Sequence, residues 1–134
     1  MKLALLFLSC LLLIGCKQNS STEIESSQIS TLVSETSLIV LGTVQDAGSP
    51  HIACKKDCCT NLFKNPDPLR KVVSLGVIDP KNNKSFLFEA TPDITSQVKT
   101  LKQFSNLEDE LPNGIFLTHA HIGHYTGLMY LGKE

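Results

Sequence analysis

Three of the four histidines in this chain fall within six residues, in the segment His119-Ala-His121-Ile-Gly-His124. Neutral imidazole is the commonest metal ligand in proteins, and it suits zinc, iron, copper and nickel. His119 and His121 are two residues apart, so on an extended segment their side chains project to the same side. His124 reaches that side if the chain turns tightly into a helix. The spacing predicts a metal site to which one short loop contributes two or three ligands.

The elements on either side of the histidines explain how a loop would hold them in place. An apolar run at residues 114–117 precedes them and is typical of a short buried strand. A helical pattern over residues 125–131 follows. The histidines therefore lie where a strand ends and a helix begins, an edge at which active-site residues of α/β folds often collect. Three unrelated surface or core histidines would explain so tight a cluster less well.

The histidine segment resembles the signature of the metallo-β-lactamase superfamily, His-x-His-x-Asp-His at the end of a strand. His119, His121 and His124 match its three histidines, and Gly123 stands where the family has Asp. The resemblance implies that His119 and His121 bind a first metal, while His124 helps to bind a second. The missing Asp favours one metal, or a metal other than zinc. From the resemblance we expect one or two zinc ions, with iron as the alternative, and further ligands beyond residue 134.

Size and charge limit the classes of protein to which the chain can belong. Its 134 residues suit one modest domain, and 42% hydrophobic with 19% charged residues is typical of a globular protein. The formal net charge is −1, so nothing in the sequence would attract a polyanion. We expect a small-molecule substrate and no nucleic-acid partner.

The first residues have the pattern of a secretory signal. Lys2 gives a positive start, and the apolar run over residues 3–14 is too short to span a membrane comfortably. The run ends Leu-Ile-Gly-Cys16, which resembles the bacterial lipoprotein box. That resemblance implies a signal peptide over residues 1–15 and a lipid on Cys16; an ordinary signal peptide or an uncleaved anchor is the alternative. We expect a lipid-anchored protein of the bacterial cell envelope, facing the periplasm or the outer membrane.

A tether separates the expected anchor from the folded domain. Residues 16–36 are rich in Ser and Thr and poor in large apolar groups, so they bury too little surface to fold alone. Only residues 29–33 are apolar enough to pack on the domain. The domain opens at residue 37 with an apolar strand closed by Gly42, followed by a turn-rich loop. We expect the polar groups of that loop, Asp46 and His51, to make local hydrogen bonds rather than bind metal.

The cysteines form a second cluster. Cys10 lies in the expected signal and Cys16 is assigned to lipid, so three of the five cysteines remain, all within residues 54–59. Three cysteines cannot all pair with one another, so one disulfide would leave an odd thiol.

Two interpretations of Cys54, Cys58 and Cys59 stay open. In an oxidising compartment, a disulfide between Cys54 and one of the other two is the default expectation. Alternatively, the three thiolates hold a structural metal, with His51 or a later residue as fourth ligand. A catalytic thiol ranks behind both, because no base is identifiable beside it.

The loop and the cysteines together carry a second resemblance. Residues 41–51 followed by Cys54, Cys58 and Cys59 are similar to the N-terminal part of the coenzyme PQQ synthesis protein B-like branch of the metallo-β-lactamase superfamily. The protein that names this branch is soluble and acts in quinone cofactor synthesis, so a lipoprotein relative implies another substrate. The resemblance implies the fold and the metal site, and we do not extend it to the pathway.

The middle of the chain supplies the remaining elements. Residues 71–78 and 85–90 predict an antiparallel hairpin. Apolar residues three and four apart predict a helix over residues 94–102, with Asp93 as its N-cap. The acidic loop over residues 106–113 is best interpreted as solvated.

These elements predict an α/β (α+β) fold, the N-terminal half of a metallo-β-lactamase αββα sandwich, over residues 37–134. Because that fold is built from two halves with the metal between them, we expect the sequence to be truncated. Residues 33–134 alone should be poorly stable and inactive, since one face of the sheet would be exposed.

The function expected of the full-length protein is metal-dependent hydrolysis. The metal would lower the pKa of a bound water, and the substrate would carry an ester, amide, thioester or phosphoester bond. One alternative is a mononuclear metal oxidoreductase. The other is a non-catalytic metal-binding lipoprotein or fragment.

Overall fold

A four-stranded sheet is the frame of the computed structural model, which describes residues 32–132. The strands lie side by side in chain order, with the first two pairs antiparallel and the last pair parallel. They are β1 (Ser37–Gly42), β2 (Ser74–Asp79), β3 (Lys84–Phe88) and β4 (Gly114–Phe116). The α-helices of the described residues are α1 (Asp57–Thr60), α2 (Ile94–Lys102) and α3 (Ile122–Tyr125). This mixed architecture confirms the predicted fold class.

The predicted hairpin is formed by β2 and β3, which are joined by a 3-10 turn at Pro80–Asn82. The side-chain amide of Asn82 donates to the carboxylate of Asp79 at 2.5 Å, and this hydrogen bond lowers the pKa of Asp79. β2 begins at Ser74, three residues later than the sequence indicated. The reason is that Val72 donates its N–H to the Asp93 carboxylate at 2.8 Å instead of to a neighbouring strand.

Helix α2 covers one face of the sheet and has the predicted bounds. Asp93 lies at its N-cap position, but its side chain makes no capping hydrogen bond because it accepts from Val72. The helix and the sheet approach each other closely at Gly76 of β2, where a Cβ would lie 2.3 Å from a methyl group of Leu101. The buried core between helix and sheet consists of Leu41, Ile78, Leu87, Ala90, Ile94, Val98 and Leu101.

A buried amide connects α2 to the segments that precede β2 and follow β3. Gln97 is fully buried, and its Nε2 donates to the carbonyl of Val72 at 2.7 Å. Its Oε1 accepts from the hydroxyl of Thr91 at 2.7 Å. These bonds satisfy polar groups that would otherwise be costly to bury, and they fix the backbone just after β3.

The opposite face of the sheet is apolar and has no helix over it in the described residues. Leu38, Val40 and Phe116 on this face are 61%, 59% and 50% exposed. The rings of Phe88 and Phe116 stack across β3 and β4 with centroids 5.2 Å apart. We call this surface the open face. It also includes the half-buried side chains of Leu75, Val77 and Phe86.

The N-terminal end of the described residues packs on the domain. The N–H of Val33 donates to the carbonyl of Phe104 at 3.0 Å, and the Val33 side chain packs against the core. This is the contact expected of residues 29–33, of which residues 29–31 lie outside the described part. The predicted signal peptide and Cys16 also lie outside it. Among residues 32–132, no helix has the length and apolar character needed to cross a membrane.

Candidate metal centre

The candidate site lies at one edge of the sheet. Because β1 and β3 are both antiparallel to β2, and β4 is parallel to β3, these three strands run in the same direction. The segments that follow them therefore leave from the same edge. The loop after β1 carries Asp46, Glu89 directly follows β3, and the histidine segment follows β4.

The three histidine rings converge, as their spacing predicted. The ring centroid of His119 lies 4.6 Å from that of His121 and 4.1 Å from that of His124. His119 Nε2 and His121 Nδ1 are 3.1 Å apart. The hydroxyl of Thr118 lies 2.8 Å from His119 Nδ1 and fixes the orientation of that ring. His119 and His121 are exposed, whereas His124 is 8% exposed.

Helix α3 brings His124 back toward the other two histidines. The helix begins at Ile122, directly after His121, and is followed by a 3-10 segment at Thr126–Leu131. The helical pattern predicted over residues 125–131 is therefore a 3-10 helix from Thr126, and the sequence missed the turn of α-helix before it. The cause is close packing, since a Cβ on Gly127 would lie 2.1 Å from the carbonyl oxygen of Thr91. The segment is also tied down by the N–H of Ala90, which donates to the carbonyl of His124 at 2.8 Å.

Glu89 is the site residue that sequence reasoning missed. Its side chain is buried, and its φ of 75° lies in the left-handed region that disfavours residues with a Cβ. Its Oε1 accepts the N–H of Thr118 at 3.1 Å, so it holds the start of the histidine loop. The signal available in the sequence was a single acidic residue closing the apolar strand β3.

The groups around Glu89 fit a bound cation. Oε2 of Glu89 and Nδ1 of His124 lie 3.3 Å apart and are buried, yet the angle is not that of a hydrogen bond and neither atom has a hydrogen-bond partner. Unpaired buried polar atoms are costly, and a metal ion would satisfy both. Donor atoms of Glu89, His119 and His124 all lie within 4.8 Å of one another. Imidazole and carboxylate ligands suit zinc and iron.

The three cysteines also come together. Donor sulfurs of Cys54, Cys58 and Cys59 lie within 4.8 Å of one another, and all three thiols are free. Cys59 is buried on the short helix α1, and its sulfur is 3.9 Å from that of Cys58. His51 and the three cysteines line one groove. The Nδ1 atom of His51 contacts the carbonyl of Ile52 at 3.1 Å, the kind of local contact expected of it.

Sheet, covering helix and histidine loop together define the class of protein: the chain has the metallo-β-lactamase fold, as the sequence resemblance implied. Two similar solved structures have this fold. One is Zn²⁺-bound PqqB from Methylobacterium extorquens, with a TM-score of 0.53 and 25% sequence identity over 70% of this chain. The other is a diphosphatase from the PhnP family, with a TM-score of 0.54 and 26% identity over 72% of this chain.

The match covers only part of those two proteins. The described fold corresponds to 35% of the PqqB chain and 34% of the diphosphatase chain, about a third of each. No protein-family model and no curated protein sequence matches this chain.

Proposed function

We propose that the complete protein is a metal-dependent hydrolase in which His119, His121 and His124 hold the metal. The observation that carries the proposal is the convergence of three imidazole rings at the edge of the sheet, beside a buried carboxylate of which one oxygen has no hydrogen-bond partner. When bound, such a metal lowers the pKa of water enough to provide a hydroxide nucleophile near neutral pH. Both similar solved structures support the assignment, since PqqB is described with bound Zn²⁺ and the PhnP-family protein is described as a diphosphatase.

The chain's own residues orient the site and shape its surroundings. Thr118 fixes the ring of His119 through Nδ1, which leaves Nε2 for a metal. Glu89 holds the backbone of Thr118 and, through Oε2, faces His124. A cleft of about 210 Å³ adjoins this pair. Leu75 and Phe88 of the open face line one part of it, and Glu89, Thr118 and His124 line another, so it would receive an apolar part of a substrate beside the metal centre.

A phosphoester is the substrate class to test first. Ester, amide and thioester bonds all suit a metal-bound nucleophile, but a diphosphatase is among the similar solved structures. A panel of phosphate diesters and diphosphates, with carboxylic esters and thioesters beside it, covers these classes.

Substituting the histidines tests the assignment. Zinc content and phosphoester turnover are measured on the full chain for His119→Ala, His121→Ala and wild type. We expect each variant to lose most of its bound metal and at least a hundredfold in rate, because the ligands of a metal site determine both its metal affinity and its turnover rate. His51→Ala, which removes the one histidine outside the cluster, is the control for turnover only, because His51 is also a candidate fourth ligand at the cysteines. Unchanged metal content in the two variants would contradict the assignment.

A mononuclear metal oxidoreductase is the second candidate. Gly123 supplies no carboxylate where the family motif has one, and PqqB is among the similar structures. Oxygen consumption with bound iron, absent with bound zinc, would favour this candidate over hydrolysis. Stoichiometric metal binding without turnover on any substrate would favour a third possibility, a non-catalytic metal-binding lipoprotein.

For the N-terminus, we propose that Cys16 is lipidated and anchors the protein in the bacterial cell envelope. The support is the sequence of residues 1–16, a positive start, an apolar run and a terminal Leu-Ile-Gly-Cys. Acyl chains hold a protein at a membrane through roughly 0.8 kcal/mol per buried methylene. Residues 17–36 would then space the domain from the membrane surface.

For the cysteine cluster, we propose that Cys54, Cys58 and Cys59 hold a structural metal as thiolates, with a Cys54 disulfide as the alternative. Their mutual proximity supports a shared ion. One measurement tests this and the anchor together: the intact mass of mature protein from its own membrane, alkylated under denaturing conditions with a chelator. We expect acyl mass on a chain beginning at Cys16 and three alkylated thiols. One alkylated thiol would indicate a disulfide, and a chain without acyl mass would exclude lipidation.

A further inference from the structure

Gly123, which stands at the acidic position of the histidine motif, has no room for a side chain. A Cβ at this position would lie 2.5 Å from the carbonyl oxygen of Asp46 and 2.6 Å from its Cβ. Real Cβ atoms do not approach so closely, and the nearest obstacle is backbone, which cannot rotate away. The space beside Gly123 is therefore taken by another residue, and that residue is an aspartate.

The position of Asp46 is set by the fold of its loop. The side chain of Gln45 accepts from the N–H of Ala47 at 3.1 Å and donates to the carbonyl of Gly48 at 3.0 Å. Gly48 adopts a φ of 85°, which a residue with a Cβ would resist. On the strand side, Val44 accepts from the N–H of Val73 at 2.8 Å. These bonds fix the shape of the loop and tie its first residue to the segment before β2.

The carboxylate of Asp46 is unpaired among the described residues. Within residues 32–132 it makes no hydrogen bond and no ion pair, in contrast to the local hydrogen bonding that the sequence suggested. The Asp46 side chain is half-buried, and its Cβ lies beside Gly123, the residue directly before His124. Its oxygens are outside the 4.8 Å set formed by Glu89, His119 and His124, so a rotamer change would be needed to join that set.

We propose that Asp46 supplies, from the loop after β1, the carboxylate ligand that Gly123 does not provide, on the His124 side of the metal centre. The inference rests on the proposed metal centre and deepens it. Carboxylate and imidazole together form the donor set that zinc and iron accept. Glycine at position 123 then has a physical reason, because any side chain there would displace Asp46. The acidic group of the motif would thus come from the loop after β1 instead of from the histidine segment after β4.

Metal binding by the full chain tests this proposal without relying on turnover. Zinc equivalents after dialysis, zinc affinity by chelator competition and the visible spectrum with Co²⁺ are compared for wild type, Asp46→Asn and Asp46→Glu. We expect Asp46→Asn to lose one metal equivalent, or about tenfold or more in affinity, as changes around metal sites do. Asp46→Glu should recover part of that loss because it restores the carboxylate. Asp109→Asn, an exposed acid in the loop before β4, is the control and should match wild type.

The outcomes separate this inference from the proposed function. If Asp46→Asn binds zinc as wild type does, Asp46 is not a ligand, while the histidine site stands. If Asp46→Glu binds zinc more weakly than Asp46→Asn, the residue acts by size in packing against Gly123, and the ligand role is overturned. If the wild-type chain retains no metal and shows no Co²⁺ spectrum, the metal centre and the role of Asp46 both fail.

Discussion

Glu89 shows how much one side chain contributes to the candidate site. A buried carboxylate and a positive φ at a residue with a Cβ are both unfavourable, the latter by about 1–2 kcal/mol. Such features persist where the surroundings hold them, and here Glu89 accepts the N–H of Thr118 and faces His124. Through Oε1 the residue thus positions the histidine loop, while Oε2 is left for a cation.

Removing this carboxylate should loosen the loop. We expect Glu89→Ala to lower the free energy of unfolding by about 1–3 kcal/mol, since the Thr118 N–H loses its only acceptor among the described groups. Zinc affinity should fall as well, because the His119 and His124 rings are no longer held. Chemical denaturation and chelator competition on the full chain measure the two effects. Glu108→Ala removes an exposed acid and is the control.

Glu89→Gln separates the two roles of the residue. Glutamine keeps an oxygen for the Thr118 N–H but replaces the atom facing His124 with an amide nitrogen, so stability should be largely retained while zinc affinity falls. Equal zinc affinity in wild type, Glu89→Gln and Glu89→Ala would contradict a positioning role.

The sequence could not identify Glu89 because its partners are distant in the chain. Thr118 is 29 residues away, and the contact exists only because β4 pairs in parallel with β3. The histidines were accessible, since their types and spacing fall within six residues. Asp46 was visible as a polar loop residue, but its approach to Gly123 depends on the shared direction of β1 and β4, which no local pattern specifies.

At the scale of elements, hydrophobic periodicity predicted those helices and strands whose position is set by the packing of an apolar face. α2 has the predicted bounds, because its apolar stripe at residues 94, 98 and 101 is the face that covers the sheet. β1 and the hairpin were likewise indicated by apolar runs and the turn between them. The region after His121 was misjudged, since helix propensity there is overridden by the packing of Gly123 and Gly127 against other backbone.

The common direction of β1, β3 and β4 is the element-scale feature that makes a site possible. Three strand ends place an aspartate, a glutamate and three histidines at one edge of the sheet. Each strand end is fixed by sheet hydrogen bonds, while the loops beyond it are free to carry function. The sheet therefore sets where the candidate ligands meet, and the loops determine which residues these are.

At the scale of the whole molecule, the open face indicates what the described residues lack. All four strands present large apolar side chains to one side, a contiguous surface of the kind that soluble proteins bury. We expect the other half of an αββα sandwich to cover it in the complete protein, because the described fold corresponds to about a third of each of the two similar structures named above. For the same reason, residues 33–134 alone should unfold without a sharp cooperative transition.

Leu38, on the open face, allows a direct test in the complete protein. Its side chain is 61% exposed in the described fold, whereas burying a Leu fully is worth about 1.5–3 kcal/mol. If the other half of the sandwich covers this face, we expect Leu38→Thr to lower the free energy of unfolding by at least about 1 kcal/mol. Threonine retains strand propensity, so the loss would report lost packing rather than a weakened strand.

Leu69→Thr is the matched control for this substitution. Leu69 lies in a loop and is 84% exposed, so its replacement should change the free energy of unfolding by no more than about 0.5 kcal/mol. Denaturant unfolding of both variants and wild type gives the comparison. If Leu38→Thr were as neutral as Leu69→Thr, the open face would face solvent in the complete protein. The sandwich would then be incomplete, and the metal centre would have only the ligands that this chain supplies.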